Sequence, residues 1–446
     1  MNRKWMVLGG GILFLALVIF ACAPSAVAGA QEKPSAAAGA QEKPSYTVPE
    51  YNAYQAAANE KNPQQRIKLL DDFVAKFPSS TLLPYVYRLY YNTYNELKNF
   101  SKVMEYADRE LSFGDKLDSG TRLEALYIRA LAFHGAFNEK APDAKQQATR
   151  AREAALEGLK VLSQLTKPPG LTDEQFAQNK KQPEALFNYT AGFAALQSKE
   201  YKAAIDSFKA ALAINPNDGV TYFRMGVAYL QMEPPQYMDG FWALARSVAL
   251  KGPGEAQVRS YLRNQLLRYQ QTGCDKLLDA QMNELLTLAA SSAERPVTYK
   301  IPSAADLENA RKQAEAENFI TVLKAGGDRS KLLWLATCGL EFPEVAAKVI
   351  AVNADSPVVL KLFIGVTPEE TEAGTAANME VKLEGQPEAK RLQSGDFVRF
   401  SATLTGYDQD PFMLHWEKGK VNPEDLHEEK GPPGKRPRRP PKKSGR

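Results

Sequence analysis

Between residues 48 and 291 apolar side chains recur every three to four positions, in segments separated by short polar or proline-bearing turns. That spacing keeps one face of an α-helix apolar and predicts a run of amphipathic helices. "YVYRLYYNTYNELKNFSKVMEYADREL" reads as a long helix, a short turn and a second helix. "TRLEALYIRALAFHGAF" and "KAPDAKQQATRAREAALEGLKVLSQL" read as another pair with a proline in the turn, and "NPQQRIKLLDDFVAKFPSS" ends at Phe77 and Pro78 like the second helix of a pair. Four or five helical hairpins are expected over 48–251. Helices over 255–270 and 274–290 are expected to close the stack, because the end of a solenoid must stop exposing its apolar face. One or two further helices run through Leu335, and from Ala346 the period changes to two. Val358, Leu360, Leu362 and Ile364 share one face, then Met379, Val381 and Leu383, then Val398, Phe400, Ala402 and Leu404. With "AKVIAVN" before them and "FMLHWEKGKV" after, this alternation predicts five strands of a sheet with one buried face.

The helical region contains an internal repeat. Residues 185–216 align with 219–251 at an offset of 34, matching Gly192 with Gly226 and Ala195 with Tyr229. Beyond "QMEPPQ" the offset becomes 36, matching Tyr201 with Tyr237, Ala204 with Gly240, Phe208 with Leu244 and Ala211 with Ser247. Small residues at Gly192, Ala204, Ala211, Gly226 and Gly240 let antiparallel helices cross closely, and larger ones such as Tyr201 and Phe208 fill the spaces between. Pro216 ends the second helix through its effect on the residue before it. In Gly192, Tyr201, Ala204, Phe208, Ala211 and Pro216 the segment resembles a tetratricopeptide repeat. It departs from that family at Asn188, where a tryptophan is usual, and at Ala191, where a leucine is usual. The resemblance implies an all-α helical-repeat solenoid, with 185–218 and 219–252 its best repeats, and a groove lined by the first helix of each pair. Carried over residue by residue, the partner-binding candidates are Leu186, Tyr189, Phe193 and Leu196, then Val220, Phe223, Val227 and Leu230. Such a groove is apolar and aromatic and lacks the lysine and asparagine set that clamps a peptide's terminal carboxylate in some members, so an amphipathic helix or hydrophobic strand is the expected ligand. The competing reading is that neighbouring helices of the array cover these residues.

The run "LQSGDFVRFSATLTGYDQDPFMLHW" resembles a small OB-like barrel, with Gly395 and Asp396 turning into a long strand and Gly406 letting it bend. This resemblance spans about eighty residues and rests on strand order, leaving SH3-like and sandwich folds open. Phe397, Arg399, Lys361 and Phe363 are candidates for a nucleic-acid face of the barrel. An ordinary solvated sheet face is the favoured reading, and nucleic acid is not the expected partner.

The two ends change the picture. "MNRK" followed by "WMVLGGGILFLALVIFA" has the form of an export signal, with Ala26 and Ala28, or Ala28 and Ala30, as small residues for cleavage. Release into the periplasm or outside the cell is the leading expectation; lipid attachment at Cys22, after "IFA", and an uncleaved anchor are the rivals. A decapeptide then occurs twice, "SAVAGAQEKP" and "SAAAGAQEKP", and reads as a flexible tether or a duplication scar. The net charge of +4 contains +7 from Lys435, Arg436, Arg438, Arg439, Lys442, Lys443 and Arg446, so the remainder carries −3. That proline-rich tail is a candidate contact with an anionic envelope surface or a solubilising extension. The expected organisation is therefore 1–30 signal peptide, 31–47 linker, 48–291 repeat domain, 292–341 helical connector, 342–427 barrel and 428–446 tail. Cys274 and Cys338 remain in the exported chain and are candidates for one disulfide, the alternative being two unrelated buried thiols.

Chemistry is sparse. His134, His415 and His427 are widely spread, and no G-x-S-x-G, phosphate-binding loop, H-E-x-x-H or C-x-x-C occurs. Asp408 and Asp410 read as a hydrogen-bonded turn before Pro411 rather than a cation site. No catalytic residue, metal or cofactor is expected. The expectation is a non-enzymatic exported scaffold that binds protein partners in envelope assembly or maintenance, the alternative being a polyanion-binding module built from barrel and tail.

Overall fold

The structure, a computed structural model, describes residues 45–252 and 254–426, apart from the side chains of 315–317. The N-terminal apolar run with Cys22, the duplicated decapeptide, His427 and the basic tail lie outside these residues. Two compact units result, one from the residues up to Leu262 with Leu285–Thr298, the other from Arg263–Glu284 and Tyr299 onward.

The first unit is a helical solenoid. Ten helices form five hairpins: α1 (Val48–Asn59) with α2 (Pro63–Lys76), α3 (Leu83–Glu96) with α4 (Phe100–Leu111), and α5 (Ser119–Ala136) with α6 (Ala144–Gln164). They continue with α7 (Asp173–Gln197) and α8 (Tyr201–Ile214), then α9 (Gly219–Gln231) and α10 (Tyr237–Ala249). Each helix packs on its neighbour in sequence, and α5 also meets α7, as α7 meets α9. This next-but-one contact is what stacks hairpins into an array. Helix starts follow local chemistry. Thr47 and Thr172 form capping boxes with Glu50 and Gln175, while Asn62, Asp118 and Asp218 accept N–H groups of the first turn.

Helix α7 begins well before the sequence repeat does. It runs on through a buried Pro183, a residue that helix interiors ordinarily exclude. The three-residue turn between α7 and α8 and the five-residue turn between α9 and α10 reproduce the offset change from 34 to 36.

Helices α11 (Glu255–Gln270) and α12 (Asp275–Ser291) follow, each contributing residues to both units. The second unit continues with α13 (Ala304–Glu317), α14 (Phe319–Ala325) and α15 (Gly327–Thr337). These are three helices where one or two were expected, because Asn318 and Gly326, at φ of 70° and 69°, break the run on either side of α14. Ile320, Val322, Leu323 and Leu333 share one core with the sheet, so this segment packs as part of the barrel's unit. Trp334 lies edge-on to Tyr407 with ring centres 5.0 Å apart, and Gln409 Nε2 donates to the Lys324 carbonyl at 2.7 Å.

The sheet comprises β1 (Glu341–Asn353), β2 (Val359–Phe363), β3 (Met379–Leu383), β4 (Phe397–Gln409) and β5 (Phe412–Val421), with α16 (Pro368–Ala373) between β2 and β3. It closes into a barrel in the order β1-β2-β3-β5-β4, antiparallel except where β3 runs parallel to β5. This non-sequential closure is that of a small OB-like Greek-key barrel. Leu360, Leu362, Met379, Val381, Val398, Phe400, Leu404 and Leu414 fill it. Strand β1 starts at Glu341 rather than near Ala346, because a register shift between Phe342 and Val345 breaks the alternation over its first residues. Within this unit Cys274 and Cys338 form a disulfide, their Cα atoms 5.3 Å apart.

Candidate functional site

The small residues of the repeat sit where helices cross. A Cβ added at Gly192 would lie 2.7 Å from the Phe208 ring and 3.2 Å from the Ala204 carbonyl. One at Gly226 would meet Leu244 at 2.9 Å, and one at Gly240 would meet Leu230 at 2.7 Å. Ala204, Phe208 and Ala211 are buried in the same layer, Tyr201 is half-buried beside them, and Pro216 is exposed just past the end of α8.

The eight candidate partner-binding side chains are all half-buried. Leu186 packs on the core between α5, α6 and α7, and Leu196 on that between α7, α8 and α9. Val220 and Phe223 face Glu255 and Val258 of α11, and Phe223 meets the Tyr261 ring at 6.2 Å. Leu230 is turned back onto α10 at Gly240. Val227 is half-buried one turn beyond Phe223. The array therefore covers much of the second set, while Tyr189 and Phe193 belong to a distinct polar and aromatic group shared by α5, α7 and α9.

That group centres on Arg224. Its guanidinium carbon lies 3.8 Å from the centre of the Phe193 ring and 4.9 Å from that of Tyr189. On the same two side chains rests His134, in the last turn of α5, at ring-centre distances of 4.8 Å from Tyr189 and 5.5 Å from Phe193. Phe133 and Phe137 close the far side of Phe193 at 5.8 and 5.4 Å. His134 Nε2 and Thr190 Oγ1 are hydrogen-bonded at 2.9 Å, whereas Nδ1 is buried with no hydrogen-bond partner among the described residues. Burial first, and the Arg224 charge second, push the His134 pKa down to about 3, so the imidazole is neutral at physiological pH. Burial also raises the Tyr189 phenol and lowers the Arg224 guanidinium from its ordinary value.

Sequence reasoning passed over Arg224. The available signal was its position, four residues after Val220 and three before Val227, which places a cation on the apolar stripe of α9.

A second polar group lies between α3, α4 and α5. Arg88 Nη2 stands 3.2 Å from Glu124 and 3.7 Å from Glu110, whose side chain is fully buried. Both Glu110 oxygens and the buried Tyr91 hydroxyl lack a hydrogen-bond partner among the described residues. Burial outweighs the attraction of Arg88 and pushes the Glu110 carboxyl up to about 8.

On the barrel, the four residues considered for nucleic acid do not form an open basic surface. Lys361 is paired with Glu380, and Arg399 with Glu424 at 3.0 Å and Asp425 at 2.9 Å. Phe363 lies against Gly374, and Phe397 is the member left 54% exposed. Asp408 and His415 are hydrogen-bonded at 2.8 Å across β4 and β5. Among the described residues no cluster of His, Cys, Asp and Glu is arranged to hold a metal. No described helix is long and apolar enough to cross a membrane.

No protein-family model matches the chain, and no curated protein matches its sequence.

Proposed function

We propose that this protein is an exported, non-enzymatic scaffold of the tetratricopeptide type, which binds a protein partner on the face shared by α5, α7 and α9 and acts in assembly or maintenance of the cell envelope. The observation that carries this reading is the state of Tyr189, Phe193, Leu196 and Val227, which are packed by their own array yet retain accessible surface. Aromatic and aliphatic side chains held in that way are preorganised, so a partner segment covers apolar area without ordering the groups that receive it. The pairing of Lys361 and Arg399 with carboxylates supports assigning recognition to the helical unit rather than to the barrel.

The test places a photo-crosslinking residue at Val227 in the exported chain and identifies the covalently captured partner. Phe193→Ala is expected to weaken capture about tenfold, as loss of a buried aromatic anchor does. Removal of residues 430–446 is expected to leave it unchanged. Capture that depends on the tail and on ionic strength, and not on Phe193, assigns the binding to the polyanion reading and ends this one.

A further inference from the structure

Of Arg66, Arg88, Arg129, Arg224 and Arg246, all but Arg224 have a carboxylate or backbone carbonyl within 3.5 Å among the described residues. Arg129 pairs with Asp108 and donates to the Arg150 carbonyl at 3.3 Å. Arg246 donates to the Ala289 carbonyl at 2.7 Å, Arg66 to Glu96 at 2.9 Å, and Arg88 stands 3.2 Å from Glu124 as an ion pair, although Arg88 Nε and Nη2 and Arg246 Nε make no hydrogen bond among the described residues. Arg224 has ring faces instead, and its Nη1 is buried with no hydrogen-bond partner among the described residues. An aromatic face attracts a cation electrostatically, but it does not satisfy the five N–H donors of a guanidinium fork. The carboxylate whose charge reaches Arg224 is Asp218, and it is engaged at the start of α9. One of its oxygens takes the Val220 and Thr221 N–H groups at 3.0 and 3.2 Å, and the other takes the Thr221 hydroxyl at 2.6 Å. Beside Arg224, on the same two aromatic side chains, His134 Nδ1 is a second buried nitrogen with no hydrogen-bond partner among the described residues.

A partly desolvated cation with unmet donors is unfavourable, and the penalty is removed by an acceptor brought from outside the chain. We propose that Arg224 is the anchor for a carboxylate side chain, aspartate or glutamate, carried by a protein segment whose apolar residues lie against Tyr189, Phe193 and Leu196. The inference rests on the partner-binding reading of that face and adds the chemistry of the partner. Two observations select a carboxylate. It is planar and presents two oxygens to the guanidinium fork. It also brings a single negative charge to a place with a single positive one, since the neighbouring imidazole is neutral. A phosphate would leave its second charge uncompensated among aromatic rings.

The experiment uses the full exported chain and pools of short amphipathic peptides, acetylated and amidated, with randomised apolar positions and one central residue fixed as Glu or as Gln, and a further Gln pool left with a free C-terminus. The Glu pool is expected to bind about ten- to a hundredfold more tightly than the Gln pool, the usual range for a hydrogen bond to a charged group. Arg224→Met should abolish that preference while leaving Gln-pool binding in place, and Arg224→Lys should keep part of it. Equal binding of the two pools, with both weakened by Phe193→Ala, overturns the carboxylate assignment and leaves the binding face standing. Tightest binding by a Gln pool with a free C-terminus assigns the site to a terminal carboxylate and overturns the side-chain assignment. Failure of every pool to bind above a scrambled polar control removes the binding face and the assignment together.

Discussion

Arg88 and Arg224 both stand on the first helix of a hairpin, in α3 and α9, and meet opposite surroundings. Around Arg88 the chain places more acid than base, with Glu124 and the fully buried Glu110 facing one guanidinium. Around Arg224 it places two aromatic rings, a neutral imidazole and, among the described residues, no free carboxylate. A charge matched from within is part of the fold, because removing either partner strands the other in a poorly solvated site. A charge left unmatched is open to a partner, and its removal strands nothing.

The largest effect expected from this contrast is that of Arg88→Met. Leaving Glu110 and Glu124 without their cation should cost about 3 to 5 kcal/mol of the helical unit's stability in denaturant unfolding at about pH 9, where the Glu110 carboxyl is ionised. A loss no greater than that of an exposed arginine would show that the pair contributes nothing.

Next is the pH dependence carried by Glu110, which faces Arg88 and Tyr91 of α3, Glu124 of α5 and the capping Asp118. Its carboxyl is raised from 4.5 to about 8, so the folded state holds a proton that the unfolded chain has released. The contribution is complete below about pH 4.5, declines as pH rises and is gone above about pH 8, which corresponds to about 2 to 3 kcal/mol after discounting for local relaxation. Unfolding from pH 5 to 9 should therefore weaken the native chain more than Glu110→Gln, and parallel curves for the two would refute the buried proton.

Gly192→Ala tests the packing that supports Tyr189 and Phe193 from behind. The added methyl meets the Phe208 ring, and a loss of about 1 to 3 kcal/mol in thermal or denaturant unfolding is expected.

The smallest effect is that of Arg224→Met, expected within about 1 kcal/mol of the native chain and of either sign, since an apolar side chain replaces a cation that no carboxylate holds. A loss comparable to that of Arg88→Met would make Arg224 a structural residue and erase the contrast.

Much of the helical unit was legible because its elements are local. The turn between α3 and α4 shows how the signal can fade while the geometry persists. Lys98 takes φ of 56° and Asn99 N–H bonds Tyr94 O at 2.9 Å; between α7 and α8, Lys199 takes 63° and Glu200 N–H bonds Ala195 O at 2.9 Å. Matching the two turns sets Tyr91 against Gly192, Ala107 against Phe208 and Glu110 against Ala211. A large residue stands where the clear repeat has its smallest, and a small one where it has an aromatic. The same space is filled in the reverse order, which preserves packing and erases the pattern. Likewise the first residues of β1 lost their alternation to a bulge, and α14 lost its continuity with its neighbours to two residues in left-handed backbone. The eight groove candidates stand half-buried on α7 and α9, and Arg224 was missed among them.

The sequence by itself determined the helical and strand periods, the hairpin lengths with their two-residue difference, the glycines that admit close crossing, and the alternation that fills the barrel. Each of these is written in residues a few positions apart. Only the tertiary structure decided that β3 joins β5, that Cys274 meets Cys338, that α11 covers Phe223, and that among the described residues Arg88 finds two carboxylates while Arg224 finds none. The physical reason is range. A period is set by neighbours along the chain, whereas the acceptor of a buried charge comes from whichever distant segment packing brings beside it.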